Sequence, residues 1–400
     1  MMKMMGENIE AVKKRELLRS KIDSIGLASL IEKDYESVDP EMTLSDVVAK
    51  MRAKDLHEVP VIDGSRKLLG VISYRNIIRR RNLVIGMKAK TILEQAPLIT
   101  EETRITEVAE HFISTGYRQL PVVKGNKLVG LVSRAGIISI IPKIKDLRNL
   151  KAKELMTTDV ATVSRNDSIK KALEIMRRLD IRTLPVVDDD ERLVGIIGIK
   201  DMVNYFWGVK DAQKIGERSG NNDPVEIKVG SLAVDNVYTI SPEDDVGSVV
   251  KLMTSKNVSA LPVVERDKIQ GILTMYDLVE LVASFREREM VYMQITGLEE
   301  EDRFSLDIME KEIQSGLAKI SKITKPQLFT LHVTKHHSTG NRAKYSLSGR
   351  LFTENGAFIA KSVDWSLIKA TVDLMNILDA KVMEMKEERL DKKKKPRKEI

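Results

Sequence analysis

Short apolar runs bounded by polar residues recur through the first 285 residues. They read VPVI at Val59, LPVV at Leu120, LPVV at Leu184 and LPVV at Leu261. Their prolines, Pro60, Pro121, Pro185 and Pro262, are 61, 64 and 77 residues apart. Nine or ten residues beyond each proline a glycine opens a second apolar run: GVIS at Gly70, GLVS at Gly130, GIIG at Gly195 and GILT at Gly271. Continuous β-branched runs of this length predict strands covered on both faces. Upstream of each anchor the period changes to that of a helix. In SIKKALEIMRRLDI, Ile169, Ala172, Leu173 and Met176 share one face, and Asp167 or Ser168 is placed to cap it. Each unit therefore predicts strand, helix, strand, strand, helix. A unit of about 55 residues buries its own faces poorly, so the copies are expected to pair as 1+2 and 3+4.

After Phe285 the repeat stops and a different pattern begins. MVYMQITGL (290–298) predicts a strand. A helix follows, with Leu306, Met309, Ile313, Leu317 and Ile320 on one face. QLFTLHVTKHH alternates as a strand, and KYSLSGRLFT with AFIAKSVD predicts a hairpin around Asn355-Gly356, a pair that accepts positive φ. Asp364 is placed to cap a last helix whose apolar stripe is Leu367, Ala370, Leu374, Leu378 and Val382. The order β-α-β-β-β-α predicts one sheet with both helices on one face.

Composition narrows the function. Of 400 residues 42% are hydrophobic and none is cysteine, which excludes disulfides, thiolate zinc sites and a cysteine nucleophile. No apolar run reaches the roughly 18 residues of a membrane span, and the first 21 residues lack a signal peptide's apolar core, so a cytoplasmic protein is expected. A charged fraction of 31% rich in Lys and Glu suits a thermophile. The net charge of +7 permits a polyanionic partner. Neither a Gly-x-x-x-x-Gly-Lys loop nor room for an eight-stranded barrel is present, so no enzyme is expected. Among the histidines (His57, His111, His332, His336, His337), neighbours His336 and His337 on a strand face opposite ways and suit phosphate or RNA better than a metal.

The four copies, with their shared proline, glycine and helical tail, resemble the CBS domain over about residues 31–285. The resemblance implies paired modules with clefts that commonly take adenine nucleotides (AMP, ADP or ATP) as regulatory ligands, with no required cofactor. The family's ribose-reading motif, Gly-x-x-Ser/Thr-x-x-Asp, uses a carboxylate to accept from two ribose hydroxyls. Carried over, it falls on Thr274 and Asp277 in copy 4. In copy 3 it falls on Asp201, with Lys200 beside it and Gly198 in place of the hydroxyl. Copy 1 offers Ser73 and Asn76, with Arg75 adjacent. Copy 2 keeps Ser133 but has Gly136 where the acid belongs, leaving Arg134 as a phosphate contact for a neighbouring cleft. The last hundred residues resemble the ribosome hibernation-promoting factor family in element order and in Ala370, Val372 and Asp373 of the final helix. That resemblance implies binding to small-subunit RNA through Lys311, Lys319, Lys322, Lys325, His336, His337, Arg342, Lys344, Lys369, Lys381, Lys386 and Arg389. The tail residues Lys392, Lys393, Lys394 and Lys395 add to these, while Glu384, Glu387 and Glu388 interrupt the basic face.

The sequence thus predicts an α+β chain with six parts: a basic helix (1–30), pair 1+2 (31–141), a basic linker (142–153), pair 3+4 (154–285), an RNA-binding domain (290–388) and a basic tail (389–400). The expected function is a ribosome hibernation factor that inactivates or dimerises small subunits, itself a homodimer. The alternative is an energy-sensing regulator of a protein or DNA target.

Overall fold

A computed structural model describes residues 2–79, 86–158, 160–179, 181–199, 201, 227–287, 291–298, 300–337 and 343–394. Helix α1 is Met2–Asp23. Repeat 1 holds α2 (Leu44–Ala53), β1 (Glu58–Ile62), β2 (Leu68–Ser73) and α3 (Tyr74–Arg79). Repeat 2 holds α4 (Ile105–Thr115), β3 (Gln119–Lys124), β4 (Lys127–Ser133) and α5 (Arg134–Ile138). Repeat 3 holds β5 (Val163–Ser164), α6 (Ile169–Leu179), β6 (Thr183–Val187) and β7 (Leu193–Gly198). Repeat 4 holds α7 (Val246–Ser255), β8 (Ala260–Glu265), β9 (Lys268–Thr274) and α8 (Met275–Ser284).

The four hairpins are built alike. Each proline sits in the first strand, and each hairpin shifts register just after the valine that follows it, at Val61, Val122, Val186 and Val263. The same valines pair in parallel with an incoming segment, at Val38, Ile99, Val163 and Ile240. That segment is the first strand of the predicted unit. A further segment crosses over from the partner repeat: Glu32 bridges Leu131, Glu94 bridges Val71, Thr157 bridges Ile272 and Val234 bridges Ile196. The pairs are therefore 1+2 and 3+4, as the unit size required.

The crossing segment explains the repeated glycine. A Cβ on Gly70 would lie 2.5 Å from the Glu94 carbonyl oxygen, and one on Gly271 would lie 2.8 Å from that of Thr157. Side chains are excluded there because a neighbour's backbone passes.

The two pairs then share apolar cores. Ile113, Phe112 and Ile138 of repeat 2 lie in one cluster with Leu278, Val282 and Phe285 of repeat 4, and Ile199 of repeat 3 packs on the core of repeat 1. Repeat 2 thus faces repeat 4, and repeat 3 faces repeat 1.

The C-terminal domain follows the predicted order: β10 (Tyr292–Thr296), α9 (Leu306–Ile320), β11 (Pro326–His337), β12 (Ala343–Thr353), β13 (Gly356–Asp364) and α10 (Leu367–Lys394). The sheet order is β10-β11-β12-β13, with only β10 and β11 parallel. Phe329, Leu331, Val333, Leu347 and Leu351 meet the helical stripe Met309, Ile313, Leu317, Leu374, Leu378 and Val382. Two details differ from expectation. The turn residues are Glu354 and Asn355, with the positive φ of 144° at Gly356, the first residue of β13. Ser366, not Asp364, caps α10: its Oγ accepts from the Lys369 amide at 3.3 Å, while Asp364 closes the turn before it by accepting from the Ser366 amide at 2.9 Å.

The second face of this sheet is also covered. Leu328 and Phe352 belong to the core of repeats 2 and 4. Helix α1 runs beside this seam. Leu18 and Ile22 are buried in the same core, and Arg15 donates to the carbonyls of Ser284 and Thr353 while lying 4.7 Å over the Phe285 ring. The basic N-terminal helix is thus a strap across repeats and C-terminal domain.

Candidate functional site

Where the four repeats meet, charged side chains converge. Two of them, Arg118 and Arg182, occupy one repeat position, three residues before the proline, which holds His57 and Ser259 in the other two copies. This position ends the loop that feeds each hairpin's first strand, and the packing of the repeats brings His57, Arg118 and Arg182 together. Arg118 Nη1 lies 2.7 Å from His57 Nε2. Arg182 donates to the Gly116 carbonyl at 2.6 Å and lies 3.9 Å from Glu58 Oε1. Arg134, at the start of α5, stacks 4.9 Å over the Tyr276 ring of repeat 4.

This centre is short of anions. Arg134 is 8% exposed, and its Nε and Nη2 have no hydrogen-bond partner among the described residues. Burial first, then the neighbouring Arg182, pushes the Arg134 guanidinium down to about 9, and the same causes push Arg118 down to about 10. Glu58 and Asp55 are the acids that offset them, and Glu58 Oε2 itself has no hydrogen-bond partner among the described residues. Buried cations that depress one another gain most from a bound anion.

The family model described as "CBS domain" matches residues 27–82, 90–143, 152–208 and 229–284, more than half of the chain. The chain belongs to the CBS-domain family. A Methanocaldococcus jannaschii relative is 23% identical over 83% of this chain and 79% of its own length. A Thermofilum pendens protein, described as a 33.4 kDa protein in a ribosomal RNA operon, is 29% identical over 58% of this chain and 83% of its own. Among solved structures, a M. jannaschii protein described as a proposed archaeal homologue of g-AMPK covers 64% of this chain and 99% of its own, with 23% identity and a TM-score of 0.53. That likeness shows the shared fold of the four CBS repeats.

The ribose-motif residues can now be placed. In CBS copy 4, Thr274 and Asp277 form a reciprocal cap: Asp277 Oδ2 accepts from the Thr274 amide at 2.7 Å and from its hydroxyl at 2.8 Å. Asp277 Oδ1 lies 2.7 Å from Arg350 Nη1, on β12 of the C-terminal domain. Asp201 of copy 3 is half-buried and accepts from the Gly198 amide at 2.8 Å. Lys200 lies outside the described residues, and of Arg75 only the backbone is described. In copy 1, Ser73 and Asn76 are buried and bond to each other, Ser73 donating. In copy 2 the missing acid is supplied from elsewhere, since Ser133 donates to Glu32 on the crossing segment at 2.6 Å. Arg134 lies buried against Tyr276 of repeat 4. Sequence reasoning missed Arg118, Arg182 and Glu58: an arginine recurs three residues before the proline in two copies, whereas Glu58 has no counterpart, the other copies holding Gln119, Thr183 and Ala260.

The basic residues of the C-terminal domain spread over its helical side and hairpin. Lys311, Lys319, Lys322 and Lys325 are exposed on and after α9. On α10 and β13's end, Lys369 is exposed but 2.7 Å from Asp364, and Lys381 donates to the Ile359 carbonyl at 2.6 Å. Lys386 is half-buried, and Lys344 lies 5.8 Å over the Trp365 ring. His336 bonds Ser346 at 3.0 Å across the β11–β12 ladder, which engages it within the sheet. Arg342 and Lys395 lie outside the described residues, as do the side chains of His337, Arg389, Lys392, Lys393 and Lys394. No described helix is long and apolar enough to cross a membrane.

Proposed function

We propose that the protein is a cytoplasmic, non-enzymatic regulator that takes an adenine nucleotide at the CBS centre and acts through its C-terminal domain on the small ribosomal subunit, as a homodimer. The nucleotide part rests on Arg134. A buried guanidinium with two unpaired N–H groups, an aromatic ring beneath it and two more arginines nearby suits a phosphate attached to a base. CBS pairs commonly take such ligands in the clefts between copies.

The ribosome part rests on the division of faces in the C-terminal domain. Its sheet is covered on the CBS side, which leaves the helices and their lysines outermost. Those lysines suit a phosphate backbone, and their element order is that of the hibernation-factor resemblance. Contacts of this kind weaken steeply with salt. Purified small subunits sedimented through sucrose with the chain should carry it at about 50 mM salt and lose it by about 200 mM. A chain lacking 389–400 should show a shallower salt dependence. If the full chain stays at the top of the low-salt gradient with and without AMP, the ribosome reading is wrong.

A further inference from the structure

The CBS copy whose ribose motif is complete in sequence is the copy whose carboxylate is already engaged by another part of the chain. Asp277 is 5% exposed. Its Oδ2 accepts two bonds from Thr274, so only Oδ1 remains to receive a ribose diol, and Arg350 Nη1 lies on it at 2.7 Å. The same guanidinium pairs with Glu280, one turn along α8, and donates from Nη2 to Thr157 Oγ1 at 2.9 Å. Thr330, directly opposite Arg350 in the β11–β12 register, adds a side-chain bond to Glu280. Leu328 and Phe352 flank these polar groups with apolar contacts to the repeats, and Lys361 on β13 donates to the Thr158 carbonyl at 2.7 Å.

We propose that Arg350 is a latch: the seated C-terminal sheet and a nucleotide's ribose compete for the Asp277 carboxylate, so that ligand binding at copy 4 unseats the domain. This rests on the reading that copy 4 takes a nucleotide. The arrangement suits a switch rather than a fixed support. Two buried carboxylates face one guanidinium, so the seated state carries an uncompensated acid, and burial pushes Glu280 upward despite Arg350. Ion pairs of this kind recover little net free energy beyond their desolvation. A competing polar ligand therefore has a small gap to overcome. Linkage makes the effect reciprocal: whatever factor the latch removes from ligand affinity, the ligand removes from seating.

Calorimetric titration of AMP into the full-length chain, paired with hydrogen exchange of residues 343–353, tests this. Arg350→Met should tighten the Asp277-dependent AMP site by roughly tenfold. Lys361→Ala removes the bond to the Thr158 carbonyl, which loosens the seat without touching Asp277, and should tighten the site in the same direction. In the unmodified chain, saturating AMP should raise exchange across β12. The latch is overturned if AMP binds with equal affinity in all three proteins, is lost in Asp277→Ala, and leaves exchange at β12 unchanged; copy 4 would then be a nucleotide site without a latch. If Arg350→Met shows no Asp277-dependent AMP binding at all, the ribose reading of copy 4 fails and the competition fails with it. The exchange measurement on the unmodified chain decides between seat and ligand even if Arg350→Met folds poorly.

Discussion

At the level of single residues, the repeat glycines and the central arginines show two uses of recurrence. Gly271 has Met156 Sδ and the Thr157 carbonyl both within 2.8 Å of where a Cβ would stand. Backbone cannot yield as a side-chain tip can, so Gly271→Ala should cost about 1–3 kcal/mol and lower the melting temperature measurably in calorimetry. The same change at Gly64, where nothing lies within 4 Å of the added atom, should leave stability nearly unaltered. Arg134 works the other way, through charge. Held down to about 9 by burial and by Arg182, it adds strain to the free protein that an anion relieves. Arg134→Ala should therefore weaken ATP binding by about tenfold or more in a filter or calorimetric assay, while the free protein keeps its stability. Proline and glycine spacing disclosed the copies at once. Which polar position mattered was harder to see, since His57, Arg118 and Arg182 share a repeat position but not a residue type, and nothing in the chain says that the position faces inward.

Elements carry the clearest agreement between pattern and structure. The stripes on α9 and α10 are buried as their spacing requires, and β11 splits cleanly into Phe329, Leu331 and Val333 toward the helices and Leu328 toward the repeats. What period alone could not settle is what covers the second face: alternation with polar residues such as Thr330 and His332 reads as solvent-facing, yet that face is a seat. His336 lies at the edge of this seat. Burial first, then Arg178 of α6 and Lys344, hold its imidazole below the ordinary value. The folded protein therefore binds this proton less readily than the unfolded chain. The stabilisation is complete above about pH 6.5 and declines as pH falls below it, where only the unfolded chain takes up the proton. Hydrogen-exchange protection of β11 should drop between pH 7.5 and 5.5, and His336→Gln should remove part of that drop. An unchanged pH profile in the variant would assign the drop to other groups, such as the half-buried His111.

For the whole molecule, helix α1 and Arg350 join what the sequence separates most widely. Arg15 reaches Thr353 across 338 residues, and Arg350 reaches Thr157 across 193. Helix α1 and the C-terminal domain therefore meet on the face where copies 2 and 4 pack, and that domain is seated against the repeats rather than tethered beyond them. Sequence by itself determined the four repeats, their pairing, the separate β-α-β-β-β-α domain and the buried stripes, because these follow from local period, from turn chemistry and from the inability of a small unit to bury its own faces. It also marked Thr274 and Asp277, since the strand-to-helix junction that positions them is local. Tertiary structure alone decided which repeats face one another, which basic side chains lie at their centre and what occupies Asp277. Those outcomes depend on contacts between residues hundreds of positions apart, where one arginine on a strand face looks like any other until the fold sets a carboxylate opposite it.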